Sequence, residues 1–155
     1  TGTVLTGADL SNSILTGVDL SGKDLTGTIL TGADLTDVNL TGVDLSGKDF
    51  TGTILTGADL SDANLSNAIL INVNLENATL ENAKLLDTNL DSANLTNTDL
   101  RFVLLVDANL SNAILTGADL TNAVLTGAIL TGSDLENAVL TNAILNCVGH
   151  PICIE

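Results

Sequence analysis

Residues 58–67 read Ala58-Asp59-Leu60-Ser61-Asp62-Ala63-Asn64-Leu65-Ser66-Asn67, two five-residue units with a leucine at the centre of each. The same spacing holds outward in both directions: every fifth residue from Leu5 to Leu145 is leucine, with Phe50 the one exception. In an α-helix five residues advance the direction by about 500°, so successive leucines would wander round the axis and form no stripe. In a straight strand an odd spacing sends each leucine to the face opposite the last. All of them can share one interior only if the chain turns once per unit, always in the same sense. The spacing therefore predicts a coil stacked on itself.

The positions around each leucine fit such a coil. Two residues before it stand small or β-branched groups, such as Ala8, Ser13, Val18, Ala33, Ala58, Ala63 and Ala93, which can share the interior. Two residues after it, from Gly7 to Asn142, every site is Gly, Asn, Asp or Ser except Phe102. These types accept positive φ or bond their own backbone in turns, so they mark corners. The residue directly after the leucine is usually Thr or Ser, as at Thr6, Ser11 and Thr16, which suits an exposed, extended backbone.

Units such as Ala8-Asp9-Leu10-Ser11-Asn12, Ala63-Asn64-Leu65-Ser66-Asn67 and Ala93-Asn94-Leu95-Thr96-Asn97 resemble the pentapeptide-repeat family, and the resemblance covers roughly residues 1–146. It implies an all-β fold, a right-handed quadrilateral β-helix with four units per coil and about seven coils. The spacing alone gives a coil but not the number four, because outward apolar residues recur at 15 and 25 more often than at 20. At about 4.8 Å per coil the column would be roughly 35 Å long. Long arrays of this kind are most abundant in cyanobacteria, so the resemblance leans that way. One domain is expected over 1–155, with a short C-terminal cap at 147–155.

Composition fits a narrow tube. The chain is 45% hydrophobic, yet Phe50 and Phe102 are its only aromatics and it lacks Met and Trp. Mean hydropathy is positive, but no stretch approaches about 18 consecutive apolar residues, and no membrane partner is expected. No basic and apolar leader opens the chain, and Thr1 already lies in the repeat. A soluble, cytoplasmic protein is the expectation. Residues 15–35 and 40–60 are identical except that Leu25 becomes Phe50, an internal duplication by five units. Between Ile71 and Asn109 glycine disappears, through drift or at a join between two arrays.

A solenoid needs closed ends, since its terminal coil otherwise exposes backbone and core. The rule stops at Leu145, and Asn146 to Glu155 carry the only Pro and the only His. The N-terminal end has no such segment, which makes it, or the apolar strip described below, a candidate surface for homodimerisation. Cys147, His150 and Cys153 are the one group with conceivable site chemistry. As metal ligands they are too few and wrongly spaced for a structural zinc site. Cys147 and Cys153 either remain thiols, one at the last corner and one packed on the core, or close a small hairpin as a disulfide. A disulfide would place the protein in the periplasm or thylakoid lumen rather than the cytoplasm. With one histidine and no pocket expected in a filled tube, no enzyme, catalytic residue or cofactor is expected.

Three departures stand out. Lys23 and Lys48 occupy sites where small inward groups belong, and a buried ammonium is costly. Both are expected to snorkel outward with a local backbone adjustment; the alternative is an anion contact. Phe102 occupies a corner. With 20 residues per coil, Leu104, Val124 and Ile144 would stack on one face just before their leucines, flanked by Leu86 and Val106. Together with Phe102 they form a candidate interaction strip. Isolated outward aliphatics such as Ile14, Ile29, Ile54 and Ile69 are ordinary in β-structure.

Four basic residues against 19 acidic ones leave a net charge of −15. Nucleic acid is therefore excluded as an ordinary partner. The function expected is a non-enzymatic repeat scaffold or protein–protein interaction module with an unidentified protein partner. The alternative comes from the resemblance, since some members of the family imitate duplex DNA and bind DNA gyrase or topoisomerase. B-DNA carries about one charge per 1.7 Å, or roughly 20 over such a column, comparable with −15. Against this, the acidic residues spread over all four faces, with Asp19, Asp59, Asp99 and Asp119 making only a modestly richer one.

Overall fold

The computed structural model describes residues 4–153. Thr1 to Thr3, where the first unit is expected to begin, and Ile154 and Glu155, the end of the expected cap, lie outside the described residues. The chain winds as a right-handed, four-sided β-helix. Parallel pairing joins outward residues 20 positions apart, from Asp9 with Ile29 to Val124 with Ile144, with Asp24–Asp44 and Ile29–Asp49 the exceptions. One coil is therefore four units. We number the faces by their leucines: face 1 carries Leu5, Leu25 and onward to Leu145; face 2 Leu10, Leu30, Phe50 and onward; face 3 Leu15, Leu35 and onward; face 4 Leu20, Leu40 and onward.

The leucines fill the tube. From Leu20 to Leu130 no leucine at a unit centre is more than 4% exposed, and Phe50 is fully buried among them. The small residues two before each leucine, such as Ala58, Ala83 and Ala108, share this interior. Where that site is Thr, its hydroxyl donates to a leucine carbonyl of the coil below: Thr53 Oγ1 to Leu30 O at 3.1 Å, Thr88 Oγ1 to Leu65 O at 2.9 Å and Thr98 Oγ1 to Leu75 O at 2.9 Å. No buried side-chain polar atom among the described residues lacks a partner.

The backbone shows why five residues suffice. In the unit centred on Leu60, Leu60 N–H donates to Thr79 O of the next coil at 2.7 Å and Asp62 N–H to Glu81 O at 2.9 Å. Asp59 N–H donates down to Val38 O at 2.9 Å, and Ala63 N–H closes the corner on Leu60 O at 3.1 Å. The fifth donor, Ser61 N–H, is taken by the Asp59 carboxylate at 3.0 Å. Every amide is thus satisfied, provided that an Asp or Asn precedes the leucine. Each corner residue from Gly7 to Asn142 has positive φ, which explains the Gly, Asn, Asp and Ser there. Phe102 adopts the same backbone with φ 58°, a conformation a bulky side chain rarely takes.

The duplicated segment opens this ladder over two adjoining units; elsewhere among the described residues only the amides of Leu5, Gly52 and Asn74 miss their inter-coil bonds before the last coil. The 25-residue shift of the duplication puts Lys23 on face 1 and Lys48 on face 2 of the next coil, side by side rather than stacked. Between them the pairing opens. The amides of Gly22, Leu25, Gly27 and Leu30 make no bond to the coil above, and those of Asp44 and Asp49 none to the coil below, whereas Leu20 and Gly32 on either side keep theirs. The cleft, about 320 Å³, is lined by Gly27, Thr28, Ile29, Ser46, Gly47 and Lys48. Lys23 is exposed, as the sequence predicts. Lys48 departs from that expectation. Its ammonium turns into the gap and donates to Leu25 O at 2.6 Å and Thr28 O at 3.2 Å. It thus takes the acceptor register that the inward threonines use. Burial pushes the Lys48 ammonium below its usual pKa, with Asp44 and Asp24 opposing that shift.

The ends are looser. Leu5, Leu10 and Leu15 are only partly buried and line a depression of about 230 Å³ with Val18, Leu20 and Lys23. At the other end the register shortens by one residue. Ile129 pairs with Val148, and Leu130 N–H donates to Val148 O at 2.8 Å. The tail then turns at His150, whose carbonyl accepts from Cys153 N–H at 3.0 Å, and lays Ile152 and Cys153 against the core. Cys147 and Cys153 are joined as a disulfide across six residues.

Candidate functional site

Three sides of the column follow a simple surface rule. The outward residue before each leucine is mostly Asp or Asn, and its oxygen accepts the amide two residues on. At Asp34, both Thr36 N–H and Thr36 Oγ1–H donate to Oδ1, at 3.1 and 2.6 Å. The Asp34 carboxyl is accordingly held below the usual range, chiefly by the Thr36 hydroxyl and then by its amide. On faces 2, 3 and 4 an aliphatic or threonine interrupts the rule singly until the last coil. Ile69 stands between Asp49 and Asn89, Ile54 between Asp34 and Asn74, and Thr79 between Asp59 and Asp99.

Face 1 obeys the rule at Asp24, Asp44 and Asn64 and then abandons it. Lys84, Leu104, Val124 and Ile144 follow one another in a continuous paired column. None of them can accept an amide, and the N–H groups of Leu86, Val106 and Thr126 have no partner among the described residues. Leu86 and Val106 border the column on the corner toward face 2, where Asp87 N–H donates to Val106 O at 3.0 Å. Phe102, 46% exposed, borders it on the corner from face 4, and Ile144 is 49% exposed. The structure therefore brings all six sequence-predicted strip residues onto one flat side.

The borders are charged. Asp87 and Asp107 stack along one edge, both exposed. On the other edge Arg101 Nη2 donates to Glu81 Oε2 at 2.8 Å and to Asp99 Oδ2 at 2.7 Å. The Arg101 side chain holds the Asp99 carboxyl below its usual range, and in turn the guanidinium is raised, first by the hydrogen bonds to Asp99. This cluster was not singled out from sequence. The signal, Glu81 lying 20 residues before Arg101, becomes visible only once the coil length is known.

Elsewhere the chemistry is sparse. Among the described residues no group of three or more His, Cys, Asp or Glu could hold a metal ion. His150 Nδ1 accepts from Ile152 N–H at 3.3 Å within the tail turn. No helix of the described residues is long and apolar enough to cross a membrane.

Fold and surface together define a four-sided solenoid of five-residue units with one apolar side. The family model for pentapeptide repeats matches in eight copies, over residues 1–32, 33–70, 68–103 and 104–142. The chain belongs to the pentapeptide-repeat family. Among solved structures it is similar to Rfr23, a pentapeptide repeat protein from the cyanobacterium Cyanothece 51142, at 27% identity over 92% of this chain and 91% of that one, with a TM-score of 0.54. It is 34% identical to HetL, a pentapeptide repeat protein involved in heterocyst differentiation regulation from the cyanobacterium Nostoc sp. strain PCC 7120, over 96% of this chain and 75% of that one, with a TM-score of 0.47. QnrB1, a plasmid-mediated fluoroquinolone resistance protein, shares the fold at 22% identity, with a TM-score of 0.55 over 92% of this chain and 73% of that one. No match was found among the curated proteins.

Proposed function

We propose that this protein is a non-catalytic scaffold that holds a protein partner on the C-terminal half of face 1. One observation carries the reading: the sequence gives up its own stabilising rule in four successive coils on that face and at the adjoining corner. Each lost side-chain-to-amide bond forgoes about 0.5–1.5 kcal/mol. A phenylalanine at positive φ costs about 1–2 kcal/mol more. Departures from local consistency that gather on one surface are the mark of a site with another task. The acidic residues, by contrast, occur on every face, for example Asp24, Asp49, Asp34 and Asp119, so duplex mimicry has no side of its own. The Cys147–Cys153 bridge supports residence in an oxidising compartment.

A photo-crosslinking amino acid placed at Phe102 tests the proposal. In the cells that make the protein, irradiation is expected to give a discrete covalent adduct from position 102 and none from Ile54 on face 3. Identical adduct patterns at both positions, or none at either, would remove the basis for an interaction surface on face 1.

A further inference from the structure

We infer that the strip receives an amphipathic α-helix of a protein partner, apolar along one side and basic on its flanks, lying parallel to the solenoid axis. This rests on the reading of face 1 as an interaction surface and supplies the partner's chemistry. Leu104, Val124 and Ile144 form a row of half-exposed to exposed aliphatics with one member per coil. Coils rise about 4.8 Å each. An amphipathic helix presents roughly one anchor per 5.4 Å turn. Over the two steps from Leu104 to Ile144 the two rows slip by only about 1.2 Å. Phe102 and Leu86 with Val106 rise at the two corners and make shallow walls for such a rod.

Charge selects the kind of helix. Beyond one wall stand Asp87 and Asp107. Beyond the other, Arg101 is consumed by Glu81 and Asp99, and Asp119 lies close enough to raise its pKa further. Lys84, at the lower end of the strip, is exposed and is the strip's own cation. A second copy of this chain would bring −15 against −15 and acidic borders against acidic borders. A basic helix is drawn in by the same field.

The test uses the whole protein and a labelled synthetic helix of about four turns, with leucines at i, i+3, i+4 and i+7 and lysines on both flanks. Saturable binding in the micromolar range is expected by fluorescence anisotropy, weakening with added salt. The variant Leu104→Asp/Val124→Asp is expected to bind at least about tenfold more weakly. Because these substitutions restore the rule of the other coils, with Val106 and Thr126 N–H again accepted by a carboxylate, the variant is also expected to melt higher than the parent. Loss of binding thus cannot come from unfolding. The reverse-charge peptide, with glutamates for lysines, is expected to bind at least about tenfold more weakly than the lysine form. Equal binding of both proteins, or of both peptides, overturns the inference. So does a dimer in sedimentation that the double substitution abolishes, which would make a second copy the occupant. If no peptide binds while position 102 still cross-links a protein, the helix is wrong and the interaction surface stands. If neither happens, both fall.

Discussion

Leu65→Asp is expected to lower the stability of the column by about 5 kcal/mol or more, by loss of a buried leucine and burial of a carboxylate without a partner. Leu65 is fully buried, with Leu45 below and Leu85 above it on face 1. No water reaches it, and no inward lysine or arginine is near enough to pair with it. Each coil touches only its neighbours, so the damage spreads as a local break rather than as a uniform loss. The same change at Leu10, which is only partly buried at the first described coil, is expected to cost less than half as much. Urea titrations followed by far-UV circular dichroism measure both. Equal losses at the two positions would mean that the interior is not the continuous column described.

The second large effect has the opposite sign. Lys23→Ala/Lys48→Ala is expected to close the gap between the second and third coils. Ala occupies the inward site through most of the array, and small side chains there let the coils meet. Each ladder bond regained at Gly22, Leu25, Gly27, Leu30, Asp44 and Asp49 is worth about 0.5–1.5 kcal/mol, so the total is about 3 kcal/mol or more. In the parent, the opening is expected to make the coils before Leu30 a separate unfolding unit, melting ahead of the rest. In the variant the two steps merge. Hydrogen exchange gives the decisive reading, because the amides of Leu25 and Leu30 should exchange fast in the parent and slowly in the variant, whereas Leu35 is protected in both. Protected Leu25 and Leu30 amides in the parent would show that Lys48 does not hold the coils apart.

Much of this architecture is legible in the sequence, for a definite reason. Interior positions answer to a single demand, that a branched aliphatic face the axis, and corners answer to another, that the backbone take positive φ. Both leave a mark at each unit, as Leu60 with Asp62 and Leu115 with Gly117 show. The number of units per coil leaves no such mark. It is fixed by backbone pairing such as Asn74 with Asn94, which is indifferent to side chain, and the outward residues are free to vary. The resemblance implies it, and the parallel pairing at 20 residues agrees.

The candidate site divides in the same way. Phe102 breaks a one-residue rule and can be seen without any structure. The column of Leu104, Val124 and Ile144 needs the 20-residue coil before its members become neighbours, and the Glu81–Arg101–Asp99 cluster needs it too. Lys48 shows a different limit. The sequence predicts that its charge leaves the core, which holds, but sends it to solvent. The ammonium instead finds the Leu25 and Thr28 carbonyls, because the second lysine, one coil below, has already loosened the ladder that would have used them. A rule applied one residue at a time cannot foresee a partner created by another departure. Cys147 and Cys153 could be read as thiols or as a bridge, since proximity across the tail depends on the register change at Asn146.

The surface described here exists only if residues 20 positions apart are stacked neighbours. Nitroxide labels on paired cysteines, with the native disulfide left intact, measure this directly. Asp59→Cys/Thr79→Cys is expected to show strong dipolar broadening from backbones about 5 Å apart, while Asp59→Cys/Asn74→Cys and Asp59→Cys/Lys84→Cys, whose second labels lie on the adjoining faces 3 and 1, show far less. Stronger broadening in either of the latter pairs would contradict the four-sided coil, and with it the apolar side on which the proposed partner rests.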